Sequence, residues 1–174
     1  YIFGCETADE YVTHQEAISR GEFHPGSIVS CSFPSVHDPS QVKVAGNHTA
    51  LIQQQSPYEL NGGPNWDSPM FKEEIANKLI DRIAEYAPNL TEEIIRRTYV
   101  STPLDIENKF SDMVKGSIKQ GQYHPLQMGY MRPNAECSRH RSPIEGLYMG
   151  GACTYPGGTI LLGGGYLAAD AVVE

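Results

Sequence analysis

Gly146-Leu147-Tyr148-Met149-Gly150-Gly151-Ala152-Cys153-Thr154-Tyr155-Pro156-Gly157-Gly158 is followed closely by Leu161-Leu162-Gly163-Gly164-Gly165-Tyr166-Leu167-Ala168-Ala169. Leu147 to Ala152 reads as a short buried strand, and Gly157-Gly158 as a turn. Leu161 to Val173 reads as a helix that begins on small residues. Of the chain's 17 glycines, those at 146, 150, 151, 157, 158, 163, 164 and 165 crowd into this one region. Such crowding marks a backbone that turns sharply or comes close to something. A helix N-terminus carries unpaired N–H groups and the positive end of the helix dipole, so this arrangement suits an anion. The spacing is not G-x-G-x-x-G inside an opening βαβ unit with an acid about 20 residues on, since the chain runs only nine residues past Gly165. The element is therefore not a self-sufficient nucleotide site. Its two readings are contact with a ligand and close helix–strand packing.

Working outward, Asp9 to Arg20 reads as a short helix stopped by Gly21. Ile28 to Phe33 is β-rich and ends at Pro34, and His48 to Gln55 is a second strand candidate closed by Pro57. The best helix starts at Ser68, an N-cap, with Pro69 in the first helical position. Its apolar residues Phe71, Ile75, Leu79, Ile83 and Ala87 recur every four positions, so one face packs on a sheet. Trp66, just before it, is expected to pack on that helix. Thr91 is expected to cap a turn at Glu92-Glu93, and Ile94 to Ser101 to form a strand. Thr102-Pro103-Leu104-Asp105 resembles a capping box opening a short helix to Phe110, so Asp105 and Glu107 serve capping and solvent exposure. Ser111 to Ser142 lacks periodicity and reads as loops with short strands.

The chain of 174 residues suits one core, and 40% hydrophobic against 20% charged residues excludes wholesale disorder. The net charge of −8 comes without any cluster of Lys or Arg, which argues against nucleic acid as a partner. Mean hydropathy is −0.38, and no apolar run reaches the roughly 18 residues of a spanning helix. Cys5, Cys31, Cys137 and Cys153 lack metal or redox spacing and read as free thiols, so no metal is expected. Two N-x-T triplets occur, at Asn47 and Asn89, and nothing else suggests secretion. A soluble or peripheral protein, cytoplasmic rather than secreted, is expected.

The glycine stretch from Gly146 to Gly158 resembles the C-terminal flavin motif of the phytoene desaturase-like FAD oxidoreductases. These include carotenoid desaturases and isomerases, retinol saturases and pyridine nucleotide-disulphide oxidoreductase-domain proteins. Pro34 to Ser40, Gly46-Asn47-His48, Ala87-Pro88-Asn89, Thr102 to Glu107 and the His124…Gln127…Arg132-Pro133 stretch resemble the last subgroup in the same order. That family pairs an N-terminal Rossmann βαβ unit for ADP with an inserted substrate domain, then returns to the first domain with a strand and a helix. The resemblance implies that this chain corresponds to the C-terminal part. It implies an α+β fold: a substrate-domain sheet with a packed helix (residues 1–142), then the returning strand, turn and helix of an FAD-binding Rossmann-type domain (143–174). The N-terminal half would be absent from the chain.

The resemblance further implies FAD as cofactor. Gly151, Ala152 and Cys153 would lie near its ribityl and pyrophosphate, Gly157, Gly158 and Thr159 along the isoalloxazine, and Gly163 to Gly165, Gly164 included, at its pyrimidine end. Helix N–H groups there would stabilise the negative charge of the reduced ring. Tyr155 stands where the family usually has His, and would sit beside the ring or pack the turn. His124 is a candidate base. Arg132 would face the cavity or pair structurally with a carboxylate. The implied chemistry is hydride transfer between flavin and a C–C or C–N bond of a hydrophobic substrate, a polyene being one such class. The alternatives are flavin-dependent cis–trans isomerisation and a non-catalytic assembly subunit. The implied partners are the polypeptide with the N-terminal FAD-binding half and a small hydrophobic molecule, with peripheral membrane contact left open.

Overall fold

The computed structural model describes residues 1–63, 65–122, 124–158 and 162–174, in two compact units, Tyr1–Thr102 and Pro103–Glu174. Among the described residues no helix is long and apolar enough to cross a membrane.

The first unit runs β1 (Ile2–Phe3), α1 (Ala8–Ser19), β2 (Val29–Ser32), α2 (Pro34–His37), β3 (Leu51–Gln53) and α3 (Pro69–Ala84). The strands form an antiparallel sheet in the order β1-β2-β3, with Phe3 opposite Val29 and Cys31 opposite Ile52. Strand side chains alternate between faces, so Val29 and Cys31 point inward while Ser32 is exposed. Val29, Cys31 and Ile83 of α3 make the core, and Phe3, Ile52, Leu79, Ala87 and Leu90 pack around it. The helix-on-sheet packing read from the four-residue spacing is thus present.

Ser68 caps α3 by accepting from the Phe71 N–H at 3.4 Å. Helical bonding runs on past the last regular turn, since the Ala87 N–H still donates to the Ile83 carbonyl. Trp66 packs where expected, with its ring centroid 5.6 Å from that of Phe71 and 5.3 Å from that of Phe23. Its indole N–H donates to the Tyr58 carbonyl at 2.7 Å. A feature not read from the sequence is the capping box of α1. Thr7 Oγ1 accepts from the Glu10 N–H, and the Glu10 carboxylate accepts from the Thr7 N–H.

The strand expected at Ile94 to Ser101 is not formed. Glu92–Ile94 is a 3-10 turn, and the following residues have no regular structure. β-Branched composition supplies propensity but not a partner ladder, and an unpaired segment gains nothing from extended pairing. Thr91 sits at the start of the turn without a side-chain capping bond, which corrects its expected role.

The second unit opens with α4 (Pro103–Lys109), close to the bounds expected. Between it and the glycine region lie 3-10 turns at Val114–Gly116, Pro125–Gln127 and Gly129–Met131 in place of the expected short strands. The strand expected at Leu147 to Ala152 is reduced to one bridge between Arg141 and Tyr148, extended by the Met149 N–H donating to the His140 carbonyl at 2.8 Å. The last helix, α5 (Gly163–Val173), begins two residues later than expected at Leu161, which lies outside the described residues. Leu162, just before it, takes a left-handed conformation.

Candidate functional site

All site residues read from the sequence belong to the second unit. Its centre is the turn from Gly150 to Thr154. The Gly151 carbonyl accepts from both the Thr154 N–H at 3.1 Å and the Thr154 hydroxyl at 2.8 Å. Thr154 is fully buried (0% exposed), so these bonds are screened from water. The Ala152 carbonyl accepts from Arg132 Nε at 3.0 Å and Nη2 at 2.8 Å.

Arg132 is itself buried, with 2% of its surface exposed. Its guanidinium also donates to the carbonyls of Lys119, Gln120 and Gln127. The structural partner expected was a carboxylate. Carbonyl dipoles are among the partners of Arg132, and the forked donors of arginine suit convergence of several loop carbonyls. Through these bonds Arg132 ties its own loops together.

Two consecutive carbonyls, at Gly151 and Ala152, are therefore turned toward buried donors. In a trans peptide the N–H points opposite to the C=O. The N–H groups of Ala152 and Cys153 are thus turned the other way. Among the described residues, the backbone N–H groups of Gly150, Gly151, Ala152 and Cys153 donate to no acceptor. Gly151 has φ +95° with nothing within 4 Å of where a Cβ would lie, so the turn is open on that side. The Gly151 nitrogen, by contrast, lies 3.2 Å from where a Gly164 Cβ would be, on the packed side. The two outward amides, of Ala152 and Cys153, make an anion-binding concavity of the kind backbone turns form.

The start of α5 packs against this turn. A Cβ on Gly164 would lie 2.8 Å from the Gly151 carbonyl oxygen and 3.0 Å from the Thr154 hydroxyl, so only glycine fits there. Of the two readings left open for the glycine cluster, Gly164 follows close packing. Gly158 does likewise, its Cβ position lying 3.1 Å from the Ala152 Cβ and the Lys119 Cα. At Gly151, among the described residues, the chain leaves that side clear. Gly157 has φ +101°, and Gly163 is the first residue of α5. Thr159 lies outside the described residues.

Cys153, within the turn, is a half-buried free thiol whose Sγ lies 3.8 Å from the Gly150 carbonyl oxygen; Cys5, also half-buried, and the buried Cys31 and Cys137 are free thiols elsewhere. Tyr155 is 44% exposed. His124 is an exposed cap: its Nδ1 accepts from the Leu126 N–H at 3.2 Å at the head of the Pro125–Gln127 turn. That bond occupies one ring nitrogen in purely local structure. The structure thus brings Arg132, Gly151, Ala152, Cys153, Gly158 and Gly164 together. Sequence reasoning missed Thr154 as the inner anchor of the turn. The available signal was a hydroxyl residue three positions after Gly151, the spacing of a side-chain-to-backbone turn.

No protein-family model and no solved structure matches the chain. It is 37% identical over 176 residues to a subunit of limonene dehydrogenase from Castellaniella defragrans, a match over 99% of this chain and 31% of that protein. It is 32% identical over 170 residues to pyridine nucleotide-disulfide oxidoreductase domain-containing protein 2 of Rattus norvegicus, covering 97% of this chain and 28% of that one. The Mus musculus protein of the same name matches to the same extent. The chain therefore spans about a third of the length of these curated relatives. The names of the relatives support kinship with oxidoreductases.

Proposed function

We propose that the chain forms the substrate portion (1–142) and the cofactor-closing turn and helix (143–174) of an FAD-dependent oxidoreductase, working with polypeptide that carries the nucleotide-binding half. The observation that carries this reading is the pair of outward amides at Ala152 and Cys153, whose peptides are locked from beneath by Thr154 and Arg132. The described residues suit the cofactor on two counts. The amides offer hydrogen bonds to anionic oxygens, and the clear space beside Gly151 leaves room for close approach. The N-terminal amides of α5 would favour negative charge on a ring placed before them.

The reaction class is hydride transfer between the flavin and a C–C or C–N bond of a hydrophobic molecule. When bound, a flavin supplies the two-electron acceptance that such a step needs. This chain's residues would bind and orient. The Ala152 and Cys153 amides would hold the anionic part, and Gly157, at φ +101°, would turn the backbone beside the ring while Gly158 packs the turn against its own loop. Tyr155 would flank it. A hydrocarbon such as limonene, which appears in the name of one relative, has no hydroxyl or amine to deprotonate. The C–H proton lost with the hydride would pass to water, a role that needs no buried acid–base side chain, and His124 and Tyr155 both stand exposed.

The test is colour. The chain, purified together with its native partner polypeptide, is expected to show bound-flavin absorbance and to release FAD on acid denaturation. A colourless, complete assembly overturns the reading.

A further inference from the structure

We infer that Arg132 and Thr154 are positioning residues, which set the peptide orientation of the turn so that its amides face the anionic backbone of the cofactor. This rests on the flavin reading above. Both side chains are buried, at 2% and 0% exposure, so they act through the turn rather than by touching a ligand. Gly151 sits at φ +95° beside open space, and a glycine-containing turn of this kind has more than one peptide orientation open to it. Flipping either peptide, Gly151–Ala152 or Ala152–Cys153, would present a carbonyl where an amide now stands, and a carbonyl repels an anion.

Two independent anchors oppose the flip. The Thr154 hydroxyl and N–H hold the Gly151 carbonyl, and the Arg132 Nε and Nη2 hold the Ala152 carbonyl. Arg132 extends the anchoring by fixing the same guanidinium to the Lys119, Gln120 and Gln127 carbonyls. The turn is thereby referenced to two other loops of its unit. A flexible amine could not replace this, because lysine lacks the rigid fork that serves several acceptors at once.

The experiment uses the complete assembly and measures dissociation constants for FAD and for riboflavin, which lacks the phosphates, by flavin fluorescence. Arg132→Lys is expected to weaken FAD binding at least about tenfold, the scale of one lost hydrogen bond to a charged group, while riboflavin affinity is unchanged. Thr154→Val should act in the same direction, and Thr154→Ser, which keeps the hydroxyl, should restore the wild-type ratio. Should Arg132→Lys fail to fold, the Thr154→Val and Thr154→Ser pair decides alone. Equal losses for both ligands, or no loss in either variant, overturn the positioning role while leaving the flavin reading intact. A wild-type assembly that binds no flavin overturns both.

Discussion

Gly164 and Gly165 are neighbours in one helix, yet the structure assigns them opposite tolerances. A Cβ on Gly164 would meet the Gly151 oxygen at 2.8 Å, whereas one on Gly165 would meet nothing within 4 Å. Gly164→Ala is expected to destabilise the protein by about 1–3 kcal/mol, the range for overpacking a fitted contact. Gly165→Ala is expected to be neutral or stabilising by up to about 1 kcal/mol, through helix propensity. Urea unfolding midpoints of the two variants check the contrast, and equal effects refute it. The cluster of glycines was legible in the sequence, but the sorting of them was not. Which glycine meets backbone depends on where Thr154 and Gly151 are carried by the turn, and local pattern holds no such information. His14 makes a second residue-scale case. Its Nε2 is buried without a partner among the described residues, and its Nδ1 stands 3.3 Å from the Ser27 hydroxyl. Burial first, then the charge of His24, holds its pKa below the ordinary 6.5. The unfolded chain therefore takes up the proton at higher pH than the folded one. The stability at stake is intact above about pH 6.5 and lost as pH falls from there through the lowered folded value. In His14→Gln the drop in unfolding midpoint between about pH 7.5 and about pH 5.5 should be smaller than in wild type.

Among the elements, α3 was the most legible. An N-cap serine, a proline in the first position and a four-residue apolar period all agree, and the fold obeys them. Strands were less so. β2 and β3 were found, each shorter than its β-rich run, because pairing rather than composition sets strand length. The Ile94 to Ser101 run and the Leu147 to Ala152 run carried strand-like residues and formed no strand, the second retaining only the Arg141–Tyr148 bridge. α1 is the converse. It buries only Ala17 among its own residues, and leaves Tyr11 and Val12 about half exposed. Packing supports it weakly, so its ends matter more. Thr7→Ala, which removes one half of the capping box, is expected to cost about 1 kcal/mol. Thr7→Ser should retain most of that, and Thr13→Ala, on an exposed turn of the same helix, should behave as wild type. Thermal unfolding followed by circular dichroism separates the three.

Over the whole chain, the sheet-with-helix unit follows from spacing and turn residues. The division between Thr102 and Pro103 does not, since it depends on which segments pack together. Apolar side chains on α5 and at its threshold stand out in solvent, with Leu162 88%, Tyr166 72% and Val173 81% exposed. Such surface on a helix that is otherwise apolar is characteristic of an element that packs on something further. Composition alone, acidic and average in hydrophobic content, carries no hint of where that surface lies.

The turn also carries its own chemical reporter. Cys153 is a half-buried free thiol flanked by the outward amides, while Cys31 and Cys137 are buried. Its alkylation by a small maleimide can therefore serve as a footprint of occupancy, with Cys5, far along the chain and also partly accessible, as the internal standard. In the complete assembly, added FAD is expected to slow labelling at Cys153 several-fold and leave Cys5 unaffected, as peptide mapping by mass spectrometry would read. Unaltered labelling at Cys153 would mean that whatever the assembly binds, it does not cover this turn.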